Sequence, residues 1–208
     1  MRAMDINYPT DAELLRGEIA AAAARMIVQD GADYASAKRR AARQILGETK
    51  VHGDILPDNG QIENEVRIYH TLFSGQAQPT RLLHLRTLAL RLMQDLAQFN
   101  PYLSGAVLNG TAGEHSELHL QLFTDNPKDV AVFLLNKNVS FDVSEAPRTK
   151  HRGSRDPVET LSFLWRHEGV HLAIHGPDDL RSSNKSKSER ANLAALKALI
   201  AESTSNET

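Results

Sequence analysis

The sequence predicts an α+β protein, with a helical N-terminal part followed by a mixed sheet of about five strands with helices packed on it. Up to about residue 100, apolar side chains recur at helical spacing, and capping residues or glycines flank these segments. After Pro101 apolar and polar side chains alternate, which is typical of strands with one buried face. Two more segments with helical spacing follow, one between the strands and one near the end of the chain.

The first two helices are predicted from their caps. Thr10 and Glu13 have the spacing of a capping box, so a helix starts there and ends near Gly31. Asp33 caps a second helix, which Gly47 closes. The alanine run in the first helix adds helix propensity.

Two longer apolar patterns predict the third and fourth helices. The third, QIENEVRIYHTLF, places on one face Ile62, Val66, Tyr69 and Phe73. The fourth runs from about Thr80 to Gln98 and is apolar on most sides, so we expect it to be buried against the sheet. Asn100 and Pro101 end it.

Five strands are predicted from alternation and short apolar runs. The first ends at Val107 and Leu108, and in the second, ELHLQL, every other residue is leucine. VSFDVSE is the third, and ETLSFLW and VHLAIH form a hairpin. The helix KDVAVFLLNKN lies between the second and third strands.

The chain is therefore expected to have three parts: a helical region over residues 1–75, an α/β domain over 76–180, and a polar linker with an amphipathic helix over 181–208. The final helix carries Leu193, Leu196 and Ile200 on one face. That face could dock on the body of the protein or pair with a second copy in a homodimer.

Composition excludes several classes of function. The chain has 208 residues and a net charge of −2, which argues against a general polyanion-binding surface. It has no cysteine, which excludes disulfides, thiolate metal sites and cysteine nucleophiles. No signal-type segment or bilayer-spanning apolar run is present, so we expect a cytoplasmic protein without a membrane partner.

The second predicted strand carries the candidate site. His115, Glu117 and His119 share one face if the strand starts by residue 115, and both imidazole and carboxylate bind divalent metals. Asp142, on the third strand, is expected to point to the same side as Glu117. His171 belongs to that face or to a separate surface. The alternative is an antiparallel sheet whose wet face carries these residues without any site.

A glycine-rich turn, NGTAG, comes just before this strand. Gly110 lets the backbone approach a phosphate closely, and Thr111 offers a hydroxyl. The alternative is that the turn needs glycine for its backbone angles alone.

The order of strand, Gly-Thr turn and carboxylate-bearing strand resembles the nucleotidyltransferase fold, the DNA polymerase beta-like superfamily, over about residues 78–176. The resemblance implies nucleotide phosphates at Gly110 and Thr111. It also implies Mg²⁺ or Mn²⁺ bound by Glu117, His119 and Asp142, with Glu117 and Asp142 catalytic.

The chain departs from the pattern of that family. His119 stands where the family has its second aspartate, and a neutral imidazole cannot bridge two ions. The prediction is therefore a divergent, catalytically degenerate nucleotidyltransferase-fold protein that binds a nucleotide or a partner. The alternatives are an active metal-dependent nucleotidyltransferase, a site for one transition metal on the same scaffold, or a nucleic-acid-binding or structural helical protein without a metal site.

Three stretches, DYASAKRRAARQILG, GAVLNGTAGEHSELHLQLF and LSFLWRHEGVHLAIH, resemble a group of small bacterial proteins. Some of those proteins carry the label UDP-N-acetylmuramate–alanine ligase. Such ligases resemble P-loop ATPases, and the sequence contains no GxxxxGK[ST] motif, so it does not support that label.

Two basic segments remain. The second helix carries Lys38, Arg39, Arg40 and Arg43, which form either a solvated face or a patch that binds the phosphates of a nucleic acid. The loop 146–158 carries five more basic side chains and is expected to be exposed.

Overall fold

The computed structural model describes residues 10–47, 55–146, 158–182 and 189–205. The chain divides into two compact units, one formed by Met1–Gln78 with Gly113–His115 and the other by Pro79–Ala112 with Ser116–Thr208. The α+β class, with a helical N-terminal part before a mixed five-stranded sheet, is confirmed. Most of the predicted basic loop lies outside the described residues. The three predicted domain ranges stay a prediction.

The helical unit contains three helices: α1 (Asp11–Asp30), α2 (Tyr34–Leu46) and α3 (Asn59–Phe73). The capping box is present, since the Thr10 hydroxyl accepts from the Glu13 backbone N–H and the Glu13 carboxylate accepts from the Thr10 backbone N–H. Gly31 ends α1 with a positive φ of 67°, a conformation that glycine adopts without strain.

Small side chains dominate the core of this unit. Its fully or nearly fully buried residues are Ile19, Ala20, Ala23, Ala24, Ala37, Ala41, Ala42, Ile62 and Val66. Because α1 and α2 contribute mainly alanines, the two helices can pack closely. On α3 the predicted apolar face is buried at Ile62 and Val66, whereas Phe73 is 70% exposed and packs against the Tyr69 ring.

The second unit contains the sheet. Its elements are α4 (Ala77–Asp95), β1 (Tyr102–Ser104), α5 (Ala106–Asn109), β2 (Leu118–Phe123), α6 (Pro127–Asn136), β3 (Asp142–Ala146), β4 (Val158–Trp165), β5 (Glu168–His175), α7 (Pro177–Ser182) and α8 (Leu193–Ser205). The strand order is β1-β2-β5-β4-β3. The pair β2–β5 is parallel, and the other three pairs are antiparallel.

One face of the sheet is covered by helices. Leu118, Leu120 and Leu122 alternate along β2 and are all buried, so they share that face. They join a hydrophobic cluster to which α4, α6 and α8 contribute. The alternate residues of the strands lie on the opposite face, where most side chains are polar.

The strand predicted to end at Val107 and Leu108 was placed wrongly, because both residues lie in α5. Gly105, with a φ of 73°, turns the chain directly after β1. The strand β2 begins at Leu118 and does not reach residue 115. Both differences come from local backbone turns that the alternation of apolar residues does not reveal.

The C-terminal segment docks on the sheet unit. Ala191 exchanges two backbone hydrogen bonds with Leu103 of β1, at 2.8 and 2.9 Å. The Arg190 guanidinium lies 5.3 Å from the centre of the Tyr102 ring, which is within the range of a cation–π contact. Leu196 of α8 is fully buried in the hydrophobic cluster. The predicted apolar face of this helix therefore packs on its own chain.

An ion-pair cluster joins α4 to the start of β5. Arg81 binds both carboxylate oxygens of Glu168, one of them at 2.7 Å, and His84 lies 3.3 Å from the carboxylate. The hydrogen bonds from Arg81 lower the pKa of Glu168; burial opposes this shift, and the charges of Arg81 and His84 add to it. Glu168 is therefore a structural carboxylate.

Replacing Leu196 by alanine tests the docking of α8. We expect Leu196→Ala to lower the free energy of unfolding by about 2–4 kcal/mol, because it leaves a cavity in the cluster. Lys197→Ala, at an exposed position of the same helix, serves as the control and should change stability by less than about 0.5 kcal/mol. Denaturant titration measures the free energy of unfolding of both variants. If both substitutions lower it by the same small amount, the docking of α8 is contradicted.

The Glu168 cluster predicts a dependence of stability on pH. The folded-state pKa of Glu168 is depressed, so its contribution is complete above the unfolded value of 4.5 and is lost as the pH falls through the folded value. We expect Glu168→Gln to cost about 2 kcal/mol at neutral pH. This difference from the unmutated protein should shrink as the pH falls below the unfolded value of 4.5. Denaturant titrations across this range measure it, with exposed Glu202→Gln as the control.

Candidate functional site

A row of polar residues crosses all five strands on the face opposite the hydrophobic cluster. The register pairs Ser104 with His119, His119 with His171, His171 with Ser162, and Ser162 with Asp142. Directly paired residues point to the same side of a sheet. Asp142, which is expected on the same side as Glu117, therefore lies on the side that carries His119 and His171.

The centre of the row holds a candidate metal site. Glu117, His119 and His171 each offer one ligand atom, and these atoms all lie within 4.8 Å of one another. The two imidazole rings are stacked, with their centres 4.8 Å apart and their planes inclined by 14°. The His171 Nε2 atom lies 2.6 Å from Glu117 Oε2.

The parallel pairing of β2 with β5 builds this cluster. It sets His119 directly opposite His171. Glu117 directly precedes β2, and its carboxylate lies on the same side because Oε2 is 2.6 Å from His171 Nε2. Gly169 lies two residues before His171 on β5. A Cβ atom at Gly169 would overlap the Glu117 side chain, with Glu117 Cδ only 2.8 Å away. The absence of a side chain at residue 169 therefore makes room for the carboxylate.

Ser162 completes a chain of hydrogen bonds through His171. Its hydroxyl lies 2.8 Å from His171 Nδ1, while Nε2 faces Glu117. A carboxylate only accepts, so Nε2 carries a proton in this arrangement and donates it to Glu117. In a neutral ring, Nδ1 then accepts from the Ser162 hydroxyl. Both nitrogens of His171 therefore have partners that fix the orientation of the ring.

The pKa of His119 is lowered. Its side chain is partly open to solvent, but desolvation by the surrounding protein is the largest cause, and the neighbouring His171 adds to it. Glu117 opposes the shift. A lowered pKa keeps His119 neutral over a wider pH range, and a neutral imidazole has a nitrogen lone pair available for a metal.

The donor set suits a single transition-metal ion. Two imidazoles and one carboxylate are ordinary ligands of zinc and related divalent ions, whereas Mg²⁺ prefers oxygen ligands only. Three ligands leave further coordination positions for water or for an anionic group. Glu117 and His119 are both exposed, so solvent and small molecules can reach the cluster.

Asp142 is not brought to this cluster. It lies on the edge strand β3, and both β4 and β5 separate it from β2. Three strand spacings place it roughly 14 Å from His119 along the row. Ser162, rather than Asp142, is the neighbour of His171.

The turn around Gly110 and Thr111 uses its polar groups within the chain. The backbone N–H groups of Gly110, Thr111 and Ala112 lie 3.0–3.1 Å from the Ala106 carbonyl oxygen. The buried Thr111 hydroxyl donates to Asn109 Oδ1 at 2.7 Å. Phosphate binding at Gly110 and Thr111 stays a prediction, and a bound phosphate would compete with these contacts.

A buried arginine supports the same turn. Arg86 donates to the carbonyl oxygens of Val107 and Leu108 at 3.1 and 3.2 Å, and to the Ser203 hydroxyl at 3.1 Å. Its burial lowers the pKa of the guanidinium, which nevertheless stays charged at neutral pH. Arg86 therefore links α4, α5 and α8.

His115 belongs to the helical unit and lies against Gly31. A Cβ atom at Gly31 would come within 2.9 Å of the His115 Cβ atom. The prediction that His115 and Glu117 share one face required the strand to start by residue 115. Because β2 starts at Leu118, that requirement is not met.

The sequence alone does not decide whether His171 belongs to the site or to a separate surface, and it does not single out Ser162 or Gly169. A signal was available, because LHL at residues 118–120 and VHL at residues 170–172 have the same apolar-His-apolar pattern. Parallel alignment of these two segments would have paired the histidines. The choice of parallel partner strands, however, depends on the whole sheet.

In the ranges that the structure describes, no helix combines the length and the apolar character needed to cross a membrane. No protein-family model matches the chain, and no curated protein matches it. Among solved structures, it is similar to a chain of the GLD-2/RNP-8 complex, with 16% sequence identity and a TM-score of 0.32. The match covers 59% of this chain and 49% of that chain, so it spans about half the length of that relative. At this TM-score the likeness supports neither an activity nor a partner.

Proposed function

We propose that this protein binds one divalent transition-metal ion through Glu117, His119 and His171. The observation that carries the proposal is the convergence of three ligand atoms within 4.8 Å, from His119 on β2, His171 on the neighbouring parallel strand β5, and Glu117 directly before β2. The hydrogen bond between His171 Nε2 and Glu117 Oε2 supports it, because a metal ion can replace the shared proton and draw on both groups.

One ion, rather than two, fits this donor set. Two-metal phosphoryl-transfer sites hold ions about 3.5–4 Å apart through bridging oxygens. Neutral imidazoles at His119 and His171 cannot bridge, and Asp142 is two strands away from β5. The arrangement favours a degenerate site over an active two-metal nucleotidyltransferase.

We further propose that the bound ion holds a nucleotide. Following the resemblance to the nucleotidyltransferase fold, a nucleotide would approach this open face, and its phosphate oxygens would fill the remaining coordination positions. The metal would polarise these oxygens, while His119 and His171 would hold the ion in place. Binding without turnover is the result that we expect.

Titration calorimetry with Zn²⁺ and Mn²⁺ tests the metal site. We expect one ion per chain, with an affinity that falls at least about 100-fold in Glu117→Gln, His119→Ala and His171→Ala, because each change removes a ligand. His167→Asn, which changes an exposed histidine in the turn before β5, serves as a control that should not alter binding.

Two further results separate the alternatives. Asp142→Asn should leave the metal affinity unchanged. If the unmutated protein instead binds two ions and Asp142→Asn binds only one, the result would support a two-metal site. ATP should bind only to the metal-loaded protein and should remain intact. ATP turnover abolished by Glu117→Gln would identify an active nucleotidyltransferase, and the absence of metal binding to the unmutated protein would refute the proposal.

Ser162 is expected to position His171 for the metal. When Nε2 binds an ion, the neutral ring carries its proton on Nδ1, and the Ser162 hydroxyl must then accept from it. We expect Ser162→Ala to weaken metal binding about 10-fold, whereas Ser162→Thr, which keeps the hydroxyl, should preserve it. Nitrogen-15 NMR shifts of His171 with and without metal should show the change of tautomer. An unchanged affinity in Ser162→Ala would contradict this role.

A further inference from the structure

The helix α2 carries an unusual local charge. Its thirteen residues include Lys38, Arg39, Arg40 and Arg43 and no acidic residue, although the whole chain has a net charge of −2. Four positive charges therefore lie on one short helix that contributes no negative charge of its own.

The packing of α2 directs these arginines outward. Ala37, Ala41 and Ala42 are buried in the core of the helical unit, whereas Arg39, Arg40 and Arg43 are exposed. We name these three residues the arginine stripe. Because one face of the helix is held by close packing of alanines, the stripe is displayed on a fixed backbone.

In the part of the chain that the structure describes, little neutralises the charge of the stripe. Arg40 lies 3.6 Å from Asp30, and both side chains are more than half exposed, so this pair contributes little. Among the residues that the structure describes, Arg39 and Arg43 form no ion pair. They are four residues apart on the helix, and like charges at that spacing repel each other.

We propose that the arginine stripe binds the phosphate backbone of a nucleic acid. Three of the four cations are arginines, whose planar guanidinium forks match phosphate oxygens. Successive phosphates would supply the closely spaced negative charges that Arg39 and Arg43 do not meet among the described residues. No aromatic side chain lies between Arg39 and Arg43 in the helix, so base stacking plays no part in this contact. We therefore expect binding that depends on the phosphate backbone and not on the base sequence.

The test is fluorescence anisotropy with a single-stranded RNA and a DNA duplex, using the full chain. We compare the unmutated protein with Arg39→Gln/Arg40→Gln/Arg43→Gln. The matched control is Arg91→Gln/Lys128→Gln/Lys197→Gln, which removes the same charge from exposed positions of the sheet unit. Circular dichroism checks that both variants keep their helix content.

For three phosphate contacts on single-stranded RNA, the slope of log affinity against log salt is about −2, which corresponds to a loss of about 20-fold between about 50 and about 200 mM salt. The stripe variant should lose this slope and the binding, and the control should keep both. Equal binding by the two variants, no binding by the unmutated protein at low salt, or equally tight binding of poly-glutamate would overturn the proposal. None of these outcomes depends on metal at Glu117.

Discussion

The in-register parallel pairing of β2 with β5 is the constraint on which the rest of the sheet unit depends. It aligns six residue pairs, from Leu118 with Val170 to Phe123 with His175. The same register sends the leucines of both strands into the hydrophobic cluster and sets His119 opposite His171. A shift by one residue would bury the imidazoles and expose the leucines, so the stability of the core fixes the geometry of the candidate site.

Two glutamates close to this pairing show how a structural carboxylate differs from one available to a ligand. Glu168 is bound by the Arg81 fork and has a lowered pKa, so its charge is satisfied within the fold. Glu117 is exposed, and its hydrogen bond goes to His171, a ring that need not carry a charge. Gly169, which follows Glu168 directly, leaves the space that Glu117 occupies. The start of β5 therefore holds the Glu168 carboxylate in an ion pair and leaves space for the Glu117 carboxylate beside it.

The sequence correctly predicted the features that depend on residues close together in the chain. The cap at Thr10 follows from contacts between residues three apart, and the alternation of leucines in β2 follows from burial of one face. The composition of the candidate site depends in addition on the order of strands in the sheet. Asp142 was expected near Glu117, but β3, β4 and β5 form an antiparallel series that starts at the outer edge, so β5 takes the place beside β2. His171 therefore occupies the neighbouring position, and no rule based on adjacent residues could have assigned it.

The distance along the chain between the two halves of the cluster has a kinetic consequence. Glu117 and His171 are 54 residues apart in sequence. They come together because β2, which begins directly after Glu117, pairs in parallel with β5. Such long-range pairing closes a large loop and forms late, after local helices and hairpins. A nascent chain would thus have no assembled ligand set until β5 had been synthesised and had docked. An ion captured at that moment would bind only the finished sheet and would hold it closed by mass action.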